Sequence, residues 1–470
     1  IRNIMMAQHS VQDHIVHFYH LSALDWVDIV SALKADPKKA AGIAQSISDW
    51  PGNSEKEFKA VQEKLKAFVA TGRLGIFASG YWGHPAMKLS PEVNLMATAH
   101  YLKALDYQRK AAQAVAILGG KNPHIQNLVV GGVATAVNME NIATLNVERL
   151  AYLRALMQET RDFVQQVYYP DLLAIGGAYK EWFKYGAGVT NYLAVPEFPE
   201  DTRNTKFALN GGIITAGNLA GMKPVKDHGD EYLINNVKES VAHAWYEGAA
   251  SLHPWDGETK PEYTDFKENG KYSWCKAPRL EGKAIQVGPP AQVLANYAAG
   301  NPRVKKLVDE TNAKLGIGLK EYHSTMGRLL ARGVRASVMA DLSIDYLDKL
   351  TVNIASGDKA YANHIEIPKG EYRGVGFHEA PRGTLSHWIV IKNKKIENYQ
   401  AVVPSTWNAS PRDEKGQLGP YEASLVGNPV ANADQPLEVL RTVHSFDPCI
   451  ACAVHTIDPA GNEITKVKVV

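Results

Sequence analysis

Cysteine is scarce: the 470 residues carry three, Cys275, Cys449 and Cys452. An all-cysteine iron–sulfur cluster needs about four thiolates. The chain therefore cannot build one alone, and electrons from any redox chemistry have to leave through a partner. So few cysteines also exclude a disulfide-stapled scaffold. No apolar run reaches roughly eighteen residues, so the chain has no membrane-spanning helix of its own. Charge is not in excess either. The net value is +2 with no basic block, which argues against nucleic acid as a partner. The N-terminus, Ile1-Arg-Asn-Ile-Met-Met6, has no initiator methionine and no charged-then-apolar leader pattern. It begins as if inside an amphipathic helix and reads as a fragment.

What is present is ordinary globular material, 45% hydrophobic and 21% charged. The most informative stretch is Phe446-Asp-Pro-Cys-Ile-Ala-Cys-Ala-Val-His455. Its C-x-x-C spacing lets the sulfurs of Cys449 and Cys452 converge on one metal. Thiolates are soft ligands suited to nickel, zinc, copper(I) and iron. Pro448 fits the first position of a helical turn, and a helix N-terminus there would favour the thiolate. His455 is placed to ligate or to hydrogen-bond nearby. A bare C-x-x-C reads equally as a redox pair or half a zinc site.

Along the chain the pattern predicts a mainly α fold, a long-helix bundle core with small peripheral β segments. Residues 1 to about 35 read as one long helix bearing His9, Asp13, His14, His17 and His20, a buried polar seam or histidines satisfied by neighbouring helices. Asp13 and His17, at i and i+4, share a face. A capping box at Ser54 and Glu57 opens a helix ending at Gly72. Pro91 opens another that stops at Gly119-Gly120, and Leu128 to Val133 reads as a short strand. A further helix is expected from about Glu140 to Val167, ending before Pro170. Tyr185 to Gly288 is short-segmented and rich in Gly, Pro and Asn, so loops and short strands are expected. Cys275 reads as a small buried hydrophobe. Helices resume near Ala291, with a long one from about Leu319 to Ser356. A hairpin follows, with strands at about 388–391 and 395–403 and with Pro404 to Asn408 closing the second. A last helix, about Pro436 to Ser445, delivers the chain to Asp447.

The string D-P-C-x-x-C-x-x-H matches the C-terminal signature of the nickel-iron hydrogenase large subunit without a mismatch. The Asp13-His14 helix, Gly119 to His124, His253 to Gly257, Lys271 to Arg279, Glu379 to Trp388 and Val402 to Asn408 carry the same likeness. The chain thus resembles that family along essentially its whole length, and most of all the respiratory, membrane-associated uptake group. The resemblance implies heterolytic cleavage of H2 at a nickel bridged to an iron that carries carbon monoxide and cyanide, with a magnesium nearby. It implies an iron–sulfur small subunit as partner, a membrane cytochrome b or quinone-linked subunit, nickel-insertion proteins and a maturation endopeptidase. It places the enzyme on the periplasmic side of the cytoplasmic membrane, exported with its partner.

Carried over residue by residue, Cys449 is a terminal nickel ligand and a proton acceptor, and Cys452 bridges nickel and iron. Arg382, which could otherwise be a surface arginine in a turn, hangs over the metals. Asp13 and Asp447 orient it. Pro381, Val403 and Pro404 line the pocket for the diatomic ligands, and Ser405 donates to a cyanide. His455 and the carbonyl of Ala401 bind magnesium. Residues 1–455 form the large-subunit domain, and 456–470 is an extension cut away between His455 and Thr456 on maturation. The family's N-terminal C-x-x-C is absent, so the chain as given is expected to be inactive. Gln286 and Pro290 stand where the family shows Glu and Leu, and Arg335 stands at a usually acidic position. Two other readings compete: a metal-free structural relative of the complex I type, and a zinc protein using Cys449, Cys452 and His455. The intact cysteines and retained tail argue against the first, and the lack of an evident fourth ligand against the second.

Overall fold

The computed structural model describes residues 1–72, 81–248, 251–363, 366 and 368–449, with the backbone of 453–457 and 463–468. Two long helices organise it. Thr325–Ala355 is capped by Ser324, whose hydroxyl accepts from the Gly327 N–H, and it is buried nearly all round in its first half. A helix without a polar face has to sit inside a bundle. It packs against Arg2–Ile15, Val147–Phe163, Tyr169–Ala178 and Pro289–Ala298. Pro91–Gly119 starts on a Ser90 cap and stops at Gly120, whose φ of 81° ends the helix in the left-handed region. It lies along Arg2–Ile15 on the other side. The fold is mainly α, as the pattern predicts.

Four element predictions need correcting. The first helix is not one piece. After Arg2–Ile15 the chain widens into a π segment, Val16–Ser22, then a 3₁₀ turn, Ala23–Asp25, before the short Ile29–Ala32 helix. Such π segments look helical in sequence because side-chain periodicity changes only slightly. The second correction is similar. Asn138 and Asn141 spend their side chains on local turns, so the next helix begins only at Val147 under an Asn146 cap. It then passes through a π segment, Val164–Tyr168, into Tyr169–Ala178. Pro170 is tolerated because it falls in the first turn of that last piece. Third, the hairpin is a three-stranded antiparallel sheet of Glu371–Ala380, Gly383–Lys392 and Lys395–Val402. Gly374 and Gly376 hide the extra strand from a propensity reading. Pro404–Asn408 then folds as one helical turn instead of closing the strand. Leu128 to Val133 is likewise two paired two-residue strands, Leu128–Val129 and Gly132–Val133.

The middle of the chain is short-stranded as expected. Tyr192–Ala194, Gly211–Ile214 and Lys223–Val225 form one small sheet, and Val237–Ser240 pairs with Ala277–Leu280. Its apolar residues, among them Leu193, Val225 and Val287, join Trp388 and Trp407 from later in the chain in a second core beside the main helical one. The tail boundary does not coincide with an element boundary. Strand Ala453–Ile457 spans it and pairs with Glu463–Lys468. Among the described residues no helix is long and apolar enough to cross a membrane.

Candidate metal centre

The site is assembled at the end of the C-terminal arm. Helix Leu437–Ser445 closes with the Asp447 N–H donating to the His444 carbonyl at 2.9 Å. Asp447 itself takes a left-handed φ of 64°, and this turn aims the chain back at the core. Pro448 and Cys449 belong to no helix, so the helical turn predicted from Pro448 does not begin there. Its remaining residues, Cys452 included, lie outside the described ones. The Cys449 thiol is free and exposed.

Arg382 comes from a different element. It is the second residue of the two-residue turn between Glu371–Ala380 and Gly383–Lys392, closed by the Ala380–Gly383 pair. Gly383 has a φ of 126°, and a Cβ there would lie 2.4 Å from the Gly288 nitrogen. Gly288, with φ 112°, would in turn press a Cβ to 2.9 Å from the Arg382 carbonyl. The two glycines let the hairpin tip seat against the Gly288 backbone, and that seating fixes where Arg382 starts.

The guanidinium is then shared between two carboxylates. Its Nη2 lies 3.0 Å from Asp447 Oδ1 and its Nη1 3.6 Å from Asp13 Oδ2. Nε donates to the Asp447 carbonyl at 3.1 Å. Three segments remote in sequence therefore meet at one cation. Burial alone would lower the Arg382 pKa, but Asp447, Asp13 and Cys449 outweigh it and hold the guanidinium above its ordinary value. Asp447 is raised above the usual carboxylate range by its own burial, although Arg382 and Arg332 pull it down.

The remaining predicted residues are distributed as follows. Pro381, Pro404 and Ser405 are buried beside the arm, whereas Val403 is 37% exposed. The Ser405 hydroxyl accepts from the Cys449 N–H at 3.3 Å, which leaves its own O–H free to donate. Ala401 sits on the sheet's edge strand opposite His387. His455 and Thr456 lie in the strand paired with the tail, and their side chains are outside the description, as is Cys452. Among the described residues no three His, Cys, Asp or Glu side chains converge as a metal site. Even so, the surroundings of Cys449 suit a thiolate-bound metal: an exposed sulfur, a hydroxyl, buried prolines and a fixed cation. His17 Nε2–H donates to the His444 carbonyl at 2.6 Å. Asp13 of Arg2–Ile15 thus meets the hairpin's Arg382, and His17 of the π segment that follows meets the arm. Cys275 is half-buried in the middle segment, less enclosed than its reading as a small hydrophobe implies.

Sequence reasoning passed over Arg328 and Arg332 of Thr325–Ala355 and noted Arg335 only as a departure from the family. Arg328, Arg332 and Arg335 are all buried. Arg335 makes a bidentate pair with Glu197, at 2.6 and 2.7 Å, so its unusual identity is compensated within this chain. Gln286 is not so compensated: both its side-chain polar atoms are buried without a partner among the described residues. The available signal was three arginines on an otherwise apolar helix, which have to be buried with it.

The description Nickel-dependent hydrogenase fits residues 1–455 of this chain. The chain belongs to that family. It is similar to the Hydrogenase-2 large chain of Escherichia coli (strain K12), 52% identical over all of this chain and 84% of that protein. It is also similar to the Uptake hydrogenase large subunit of Bradyrhizobium diazoefficiens, 46% identical over all of this chain and 82% of that one. Among solved structures, the Ni-Fe-Se hydrogenase from D. vulgaris Hildenborough in the as-isolated oxidised state superposes with a TM-score of 0.72. That match has 29% identity and covers 95% of this chain and 80% of the other.

Proposed function

We propose that this chain is the catalytic large subunit of an uptake hydrogenase, cleaving H2 reversibly into protons and electrons. The observation that carries the reading is Arg382 fixed between Asp13 and Asp447 with Cys449 inside its field. A nickel-iron pair, when bound, supplies the redox capacity and Lewis acidity for heterolytic cleavage. Cys449 and Cys452 would hold it from this chain. The Cys449 sulfur is placed to take the proton. Arg382 supplies a preorganised positive charge over the reacting position, where charge separates. Asp13 and Asp447 offset its desolvation and fix its plane. Pro381, Val403 and Pro404 would pack the carbon monoxide and cyanide ligands, with Ser405 donating to a cyanide. His455 and the Ala401 carbonyl would hold magnesium.

The finer assignments follow the same reading. Electrons leave to an iron–sulfur small subunit and then to a membrane cytochrome b or quinone-linked subunit, on the periplasmic face. Residues 456–470 are the extension removed by a maturation endopeptidase once nickel-insertion proteins have acted. The family match ending at residue 455 supports that boundary. The test is metal analysis of the complex matured from this chain extended upstream by a second C-x-x-C segment, together with H2-dependent reduction of an artificial dye. Nickel plus iron with dye reduction is expected. Zinc alone, or no metal, overturns the reading.

A further inference from the structure

Two buried guanidiniums grip the C-terminal arm just before Asp447. Arg328 and Arg332 lie one turn apart on Thr325–Ala355, each 1% exposed. Arg328 Nε donates to the Ser445 hydroxyl at 2.7 Å and Nη1 to the Gly186 carbonyl at 2.8 Å. Its guanidinium lies 3.8 Å from the centre of the Phe446 ring. Arg332 Nη1 donates to the Ser445 carbonyl at 3.0 Å. Among the described residues neither has a carboxylate within ion-pair distance, unlike Arg335 on the same helix.

Burying an unpaired cation is expensive. Binding the last carbonyls of a helix recovers part of that cost, but a neutral donor would bind them as well. What a neutral donor would not supply is a charge. Arg332 and Asp447 act on each other electrostatically. Each keeps a buried polar atom, Arg332 Nε and Asp447 Oδ2, without a hydrogen-bond partner among the described residues. Asp447 spends its other oxygen on Arg382.

We propose that Arg332 is a positioning residue for the Arg382–Asp447 pair. It anchors the arm through the Ser445 carbonyl and places a second positive charge behind the free oxygen of Asp447. Asp447 is thereby held between two cations, and the orientation of Arg382 over Cys449 depends on both. Arg328 supplies the mechanical half of the grip, through Ser445 and Phe446.

The inference rests on the hydrogenase reading, and the experiment separates the two. The matured complex is made from the chain extended upstream by a second C-x-x-C segment, with Arg332 unchanged (wild type), Arg332→Met or Arg332→Lys. Nickel content, the mass after tail cleavage, the infrared bands of iron-bound carbon monoxide and cyanide, and kcat and KM for H2 are measured for each. The methionine variant is expected to load nickel and to shift its infrared bands. Its kcat should fall about 100-fold with KM unchanged, the size of a misplacement effect transmitted from outside the chemistry. Lysine keeps the charge but loses the planar fork, so a loss of about ten-fold is expected. If methionine fails to load nickel, the lysine variant decides: reduced kcat at unchanged KM supports the proposal, and wild-type kcat overturns it. Wild-type kcat and bands in a loaded methionine variant also overturn it. Failure of both variants to load nickel overturns it too, since Arg332 would then serve folding alone. A wild-type complex without nickel or H2 uptake overturns the hydrogenase reading instead.

Discussion

At the scale of single residues, the site depends on charge held in a fixed geometry. Arg382 meets both carboxylates through its planar fork, and lysine offers only a mobile point charge. In the complex matured from the upstream-extended chain, Arg382→Lys is therefore expected to lower H2 oxidation on the order of 100-fold or more, with nickel and iron content unchanged, as read by metal analysis beside dye-reduction assays. Comparable turnover in the loaded variant would remove Arg382 from the mechanism. Ser405 is a subtler case, because its hydroxyl accepts from the Cys449 N–H and retains a proton to donate. Ser405→Ala should shift a cyanide band in the infrared spectrum and cost the fold only about 1 kcal/mol. An unchanged spectrum would place Ser405 outside the ligand pocket. Neither contact was legible from spacing alone. Arg382 and Asp447 are 65 positions apart, and only the family likeness joined them in the sequence.

At the scale of elements, the hairpin carrying Arg382 makes its own demands. Gly383→Ala would force a Cβ to 2.4 Å from the Gly288 nitrogen at a φ of 126°. A destabilisation of about 1–3 kcal/mol is expected, read as a lower thermal midpoint, and H2 oxidation should fall with it because Arg382 is displaced. The strand before the turn contributes Glu379, which is 1% exposed. Its carboxyl accepts from the Val195 N–H at 2.8 Å and from Thr384 and Gln292. Burial and the neighbouring Glu197 push it up to about 8. The sign follows from linkage. A folded-state pKa above the ordinary 4.5 means that the folded chain keeps a proton the unfolded chain releases. The resulting stability is whole below that ordinary value and is lost as pH rises through about 8. Glu379→Gln imitates the protonated form, so its thermal midpoint should fall less than wild type between about pH 5 and about pH 9. The difference is on the order of a few kcal/mol. Parallel pH profiles for the two proteins would show that Glu379 is ionised in the fold. The sequence showed a glutamate near a candidate arginine. It could not show the burial, because the strand was masked by glycines.

At the scale of the whole molecule, the number of thiolates limits what residues 1–470 achieve when expressed alone. Two sulfurs in one C-x-x-C leave coordination positions that other ligands must fill, and affinity falls with each missing ligand. Co-produced with the maturation proteins and small subunit, this chain is expected to acquire no stable nickel-iron centre and to keep the mass of the uncut form. Infrared bands of iron-bound carbon monoxide and cyanide on nickel-containing protein would refute that. The sequence by itself determined the mainly α class, the break at Gly120, the short-segmented middle and the soft-ligand motif. These follow from local periodicity, caps, turn residues and ligand chemistry, which act over a few positions. It also determined, through motif likeness, which residues to watch. Only the tertiary structure decided that Asp13, Arg382 and Asp447 share one ion network, that Arg335 finds Glu197, and that Arg328 and Arg332 grip the arm. The physical reason is the same throughout: the cost of burying a charge is settled by partners remote in sequence. Packing alone brings those partners within hydrogen-bond distance.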